Sequence, residues 1–210
     1  MKRLITFIWI IGALLIMSAA RASAFTHYSQ NEFKTGESLD PGMTQLGVAF
    51  SISDKYNTYY PDIRYGLGAM MEVGVRFGAT AARTDSGDKL GAYMGADLKY
   101  QLVKETDSIP LDLSVDLGVN NTFITSKNAT EVTFATIASK SFPLTDRGYK
   151  LIPYGGLAMS SIYGSLPDYH DTYLNAFAGL EWKLTQKFMI LLELQAGEYT
   201  IGGAEIRLEY

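Results

Sequence analysis

Cysteine is absent from the 210 residues, histidine occurs only twice, and beyond residue 17 no apolar run approaches the length of a membrane-crossing helix. Without cysteine there is no disulfide framework, no zinc–thiolate site, no iron–sulfur cluster and no lipid-modified N-terminal Cys. Positive charge is also short, with 18 Lys and Arg against 22 Asp and Glu for a net charge of −4. Nucleic acid is thereby excluded as the main partner, because binding phosphate needs a basic surface. Helical periodicity is scarce after residue 25. What the chain has in quantity is small and aromatic residues: 20 Gly, 14 Tyr and 10 Phe. A hydrophobic content of 47% is too high for a disordered chain, and the length sets one domain as the default.

The N-terminus carries Lys2 and Arg3, an uncharged apolar run from Leu4 to Met17, and the small-x-small pattern Ala22-Ser23-Ala24. This is the layout of a cleaved secretory signal peptide over residues 1–24. The run is too short for a retained helical anchor, which needs about 20 residues. Removal takes out Lys2, Arg3 and Arg21 and no acid, so the mature chain is more acidic still. Residues 25–42 are polar and read as an N-terminal periplasmic segment; residues 43–210 form the body.

That body alternates apolar and polar residues with period two. In 111–119, Leu111, Leu113, Val115, Leu117 and Val119 fall on one face and Asp112, Ser114, Asp116 and Gly118 on the other. A helix would scatter those aspartates around its circumference; a strand puts them on one side. The split recurs in 43–53, 60–67, 71–78, 90–102, 130–140, 150–162, 172–184, 188–197 and 201–210. In 150–162 the apolar side holds Ile152, Tyr154 and Ala158. Ten strands are expected, with eight and twelve as the alternative even counts. The connections 68–70, 103–109, 141–148 and 185–187 read as turns at one end. The polar stretches 54–59, 82–88, 122–128 and 163–170, with 198–200, read as loops at the other.

Alternation alone fits either a membrane barrel or a soluble barrel with its apolar face around a ligand. Three features favour the membrane. Charges sit mid-strand beside glycines, as a crowded polar lumen requires. Aromatic residues gather at strand ends: Tyr65, Tyr100, Trp182 and Tyr210 at one, and Phe50, Tyr60, Phe77, Phe123, Tyr163, Tyr173 and Tyr199 at the other. Rings with an apolar body and a polar tip prefer the two membrane interfaces. Finally, the chain stops within a strand, with Ile206, Leu208 and Tyr210 on one face.

That ending resembles the C-terminal targeting strand of bacterial outer-membrane β-barrels. The run Arg64-Tyr65-Gly66-Leu67 followed by Met71-Glu72-Val73-Gly74-Val75-Arg76-Phe77-Gly78 is similar to a hairpin common among them. The resemblance implies an all-β fold, a transmembrane antiparallel up-and-down β-barrel in the outer membrane. It also implies contact with outer-membrane lipid and lipopolysaccharide, a monomer, and reading of Ile206, Leu208 and Tyr210 by the barrel-assembly machinery.

The lumen is expected to carry Arg64, Arg76, Lys99, Lys183 and Arg207 against Glu72, Asp97, Asp112, Asp116, Glu131, Glu181, Glu193, Glu205 and Glu209. An open water path through so acidic a lumen would prefer cations. Ten strands make a narrow barrel, however, so blocked or very small conductance is expected. The function expected is structural, adhesive or narrowly pore-forming, with no catalytic site, metal or cofactor. Two alternatives stand beside it. One is a soluble periplasmic lipid-binding barrel. The other is a rim hydrolase of the omptin type, for which Asp168, His170 and Asp171 with Asp85 and Asp88 would supply the acids and the base. His27 has no neighbour at ligand spacing, and Asn120-Asn121-Thr122 and Asn128-Ala129-Thr130 read as loop residues.

Overall fold

A computed structural model describes residues 32–53, 56–83, 88–124, 127–144, 149–164, 170–197 and 200–210. The strands are β1 (Thr44–Ser53), β2 (Tyr56–Gly68), β3 (Met71–Ala82), β4 (Lys89–Val103), β5 (Asp112–Ile124), β6 (Lys127–Ser139), the two-residue β7 (Phe142–Pro143), β8 (Lys150–Gly164), β9 (His170–Lys183), β10 (Phe188–Ala196) and β11 (Thr200–Glu209). Each long strand pairs antiparallel with the next, β6 joins β8, and β11 returns to β1. The result is a closed ten-stranded barrel, with β7 a short ladder beside β8. Leu46 stands opposite Leu208 and Val48 opposite Ile206 across the closure. The Thr44 and Tyr210 backbones exchange hydrogen bonds of 3.0 and 2.8 Å there. Closure leaves no unpaired edge.

The period-two pattern decides which side each residue takes. On β1, Leu46, Val48, Phe50 and Ile52 are exposed while Gln45, Gly47, Ala49 and Ser51 are buried. The same sorting along the other strands wraps the outside in large apolar side chains, Leu98, Leu117, Phe134, Leu174 and Leu192 among them. Charged side chains fill the inside. A soluble lipid carrier needs the opposite arrangement, so the geometry rules against that alternative.

Three local readings are corrected. Ile152, Tyr154 and Ala158 face inward, and Leu157, Met159 and Tyr163 take the outer face of β8. An apolar residue on that strand has two apolar destinations, because Ile137, Phe177, Met189 and Leu191 already make one wall of the lumen hydrophobic. Tyr60 is also inside, 5.3 Å from Tyr93 between ring centroids, and Tyr59 holds the outward position. The stretches 54–59 and 122–128 are largely strand, since β2 begins at Tyr56, β5 runs to Ile124 and β6 begins at Lys127. Their polar residues are inward-facing ones such as Thr58 and Thr122. Asn120 likewise is a buried β5 residue, accepting a 2.9 Å hydrogen bond from the Tyr93 hydroxyl.

Candidate functional site: a lumen threaded by the N-terminal segment

Residues 32–39, part of the stretch whose polarity suggested a place outside the barrel, run up inside it. Glu32, Phe33, Lys34, Thr35 and Leu39 are buried. The chain leaves β1 at the end of the barrel that holds both Thr44 and Tyr210, and climbs to mid-lumen. Its polarity misled because this interior is itself charged, so a polar segment is as much at home within the barrel as in water.

The wall holds the segment mainly by its backbone. The amides of Glu32 and Phe33 donate to the two oxygens of Glu193, each at 2.7 Å. Phe33 has φ +45°, the left-handed region that disfavours a bulky residue. That bend turns two successive N–H groups toward one carboxylate, the concave arrangement that binds anions. Arg207 Nη2 donates to the Phe33 carbonyl at 2.9 Å, and Ser139 Oγ accepts from the Gly36 amide at 2.9 Å. Lys99 Nζ donates to the carbonyls of Thr35 at 3.0 Å and Glu37 at 2.7 Å. Gln101 and Glu72 accept from the amides of Ser38 at 3.0 Å and Leu39 at 2.9 Å.

Two glycines make this path sterically open. A Cβ on Gly36 would stand 2.7 Å from the Asp112 carbonyl oxygen, and one on Gly66 would collide with the Asp40 carbonyl. Both sit where the segment presses on the wall with no room for a side chain.

Side chains add two anchors. Phe33 packs in the apolar cluster with Ile137, Tyr154, Phe177, Met189 and Leu191. Lys34 Nζ lies 2.6 Å from Asp116, 3.2 Å from Glu32 and 3.3 Å from Asp97. Burial alone would lower the Lys34 ammonium; the carboxylates of Asp116, Asp97 and Glu32 outweigh it and hold the group above its ordinary 10.5. A value raised on docking means that Lys34 contributes fully below the ordinary value and that its contribution is lost as pH rises through the docked one. With a fluorophore on Ser38→Cys, the chain's single thiol, exposure of the segment should stay flat below the ordinary lysine value of 10.5 and climb only above it. In Lys34→Met that climb should vanish; identical curves for the two proteins would refute the assignment.

Each residue expected in the lumen can now be placed. Arg64, Glu72, Arg76, Asp97, Lys99, Asp112, Asp116, Glu131, Glu181, Glu193, Glu205 and Arg207 are buried inside. Asp97 is the hub, 2.7 Å from Arg64 and 2.6 Å from Arg76. Arg64 also meets Glu72 at 2.8 Å, and Arg207 meets Glu205 at 2.6 Å. Asp112 sits at the end of the barrel and accepts from the Glu105 amide at 2.7 Å. Lys183 stands at the mouth, 3.9 Å from both Glu181 and Glu209. These mouth residues and the segment enclose a polar cavity of about 70 Å³. Ile206, Leu208 and Tyr210 lie exposed on the outer face.

The lumen also holds Glu32, Lys34 and Asp62, which sequence reasoning missed. Asp62 could have been found by extending the β2 alternation back from Arg64 by two residues. At the opposite end Tyr56, Ala82, Ile124, Ala129 and Ile162 form an inner apolar cluster. Of the rim acids, Asp88 is exposed; Asp85 and Asp168, the side chains of His170 and Asp171, residues 1–24 expected as a signal peptide, His27 and Tyr199 lie outside the described residues. Among the described residues no three His, Asp or Glu side chains group as metal ligands.

No protein-family model matches the sequence, and no curated protein matches it either. Among solved structures the chain is similar to an outer-membrane channel from Pseudomonas putida F1, at 12% identity over 88% of this chain and 100% of that one, with a TM-score of 0.47. It is also similar to the KdgM porin, at 9% identity over 78% and 98% of the two chains and a TM-score of 0.41. A third is the N-terminal β-barrel domain of Pseudomonas aeruginosa OprF, at 13% identity over 82% and 100% and a TM-score of 0.39.

Proposed function

We propose that this chain is an integral outer-membrane β-barrel with a sealed lumen, a structural element of the envelope rather than an open channel. The observation that carries the reading is the occupation of the lumen. The N-terminal segment fills it from the terminal end to its middle, the Tyr60 and Tyr93 rings meet within it at a tilt of 49°, and an apolar cluster sits at the far end. The apolar exterior suits lipid, and contact with outer-membrane lipid and lipopolysaccharide follows from that surface. Recognition of the strand ending in Ile206, Leu208 and Tyr210 by the barrel-assembly machinery belongs to the same reading.

A second reading, a passage that opens when the segment leaves, is favoured by charge. With the segment gone, the wall buries nine acids against four bases among the described residues, so any ion path would select cations. Planar-bilayer recording distinguishes the two. The parent protein should show no steady conductance, and a stable open state in it would overturn the sealed reading. Gly36→Leu forces a side chain against the Asp112 backbone and should expel the segment without altering any wall residue. Silence in that variant supports a structural barrel; cation-preferring steps support the gated passage.

A further inference from the structure

The wall's grip on residues 32–39 is a pattern of recognition in its own right. Eight hydrogen bonds reach the segment's backbone, from Glu72, Lys99, Gln101, Ser139, Glu193 and Arg207. Main-chain groups are common to every polypeptide, so these contacts supply affinity for any chain that follows the same path, with its left-handed bend at the aromatic residue. Selectivity comes from three further features: the apolar wall around Phe33, the carboxylates around Lys34, and the close approach at Gly36. Together they describe a ligand with an aromatic residue, then lysine, then a buried position held here by Thr35, then glycine.

We propose that the lumen is a binding site for an extended peptide of this pattern, and that the chain's own N-terminal segment is its resident occupant. The inference goes beyond the sealed-barrel reading, because it concerns what the wall recognises rather than whether ions pass. A tethered occupant competes at an effective concentration near millimolar for short links. A peptide in solution therefore enters only when the resident segment is weakened.

The test uses the full-length chain carrying Gly36→Leu, folded in detergent micelles, with a fluorescent peptide matching residues 30–42. Saturable binding, read by anisotropy, is expected to the variant and not to the parent. Peptides carrying Lys34→Glu or Gly36→Leu should bind at least about ten-fold more weakly. A Glu193→Ala change in the wall of the variant should weaken the matching peptide by a similar factor. The heat-dependent gel shift of a folded barrel establishes that each protein is folded. If Gly36→Leu does not fold, full-length Phe33→Ala takes its place, since it loosens the resident segment through a different contact. Absence of binding to a folded variant, or equal binding of all three peptides, overturns the proposal. Bilayer conductance is a separate readout, so peptide binding by a silent barrel would uphold both this proposal and the sealed reading.

Discussion

Asp97→Ala is expected to destabilise the folded barrel by about 3 to 5 kcal/mol, the range for removing one member of a buried ion network. Asp97 is 4% exposed, and three cations converge on it: Arg64 at 2.7 Å, Arg76 at 2.6 Å and Lys34 at 3.3 Å. Two of them have other acids within reach. Arg64 keeps Glu72 at 2.8 Å, and Lys34 keeps Asp116 at 2.6 Å. Arg76 instead relies on Asp97, and its Nε already has no hydrogen-bond partner. The loss is therefore dominated by an arginine stranded in a low-dielectric interior rather than by the attraction forgone. This account predicts a rescue: Asp97→Ala combined with Arg76→Met should be more stable than Asp97→Ala alone. Asp97→Asn, which keeps an acceptor, should fall between Asp97→Ala and the parent. Urea unfolding in detergent, followed by gel mobility, measures all four proteins. A double variant no more stable than Asp97→Ala would remove the stranded charge as the explanation.

The barrel wall was legible in the sequence because its two faces are of opposite polarity. Leu111 to Val119 shows this most plainly, since each apolar position has a charged or small neighbour that only the lumen accepts. The hub residues Arg64, Arg76 and Asp97 could be placed for the same reason. Legibility failed where one polarity has two destinations. Ile152, Tyr154 and Ala158 satisfy the pattern of an outer face, yet they line an inner apolar wall built by β6, β8, β9 and β10. Residues 32–39 failed in the converse way, being polar enough for water and equally suited to a charged interior. No local rule marks Phe33-Lys34-Thr35-Gly36 as a docking sequence. Its partners Glu193, Arg207 and Ser139 lie more than a hundred residues away. The strand ends near Tyr56 and Ile124 were missed because their inward-facing polar residues, Thr58 and Thr122 among them, have the composition of a loop.

The segment and the barrel that holds it are joined by contacts of different reach, and Phe33→Ala separates them. The Phe33 ring is 1% exposed and packs on side chains from β6, β8, β9 and β10. Replacing a buried Phe by Ala costs about 3 to 5 kcal/mol, through lost transfer energy and the void left behind. The left-handed backbone at residue 33 is as unfavourable for Ala as for Phe, so the substitution relieves no strain to offset this. The ten-strand ladder, in contrast, gains nothing from Phe33, as no strand hydrogen bond passes through it. The loss should fall on docking of the segment, leaving the urea midpoint of the wall nearly unchanged. Lys34 reports this directly, since the docked residue is buried among three carboxylates and closed to trypsin. A docking loss of roughly 3 kcal/mol raises the released population about a hundredfold, and cleavage after Lys34 should accelerate by that factor when opening and closing are fast. Phe50→Ala, on the outer face, should leave the cleavage rate at the parent value. Cleavage after Lys34 that stays slow in Phe33→Ala would show the ring to be dispensable for docking. Cleavage that rises only together with loss of the folded band would show that segment and wall unfold as one unit.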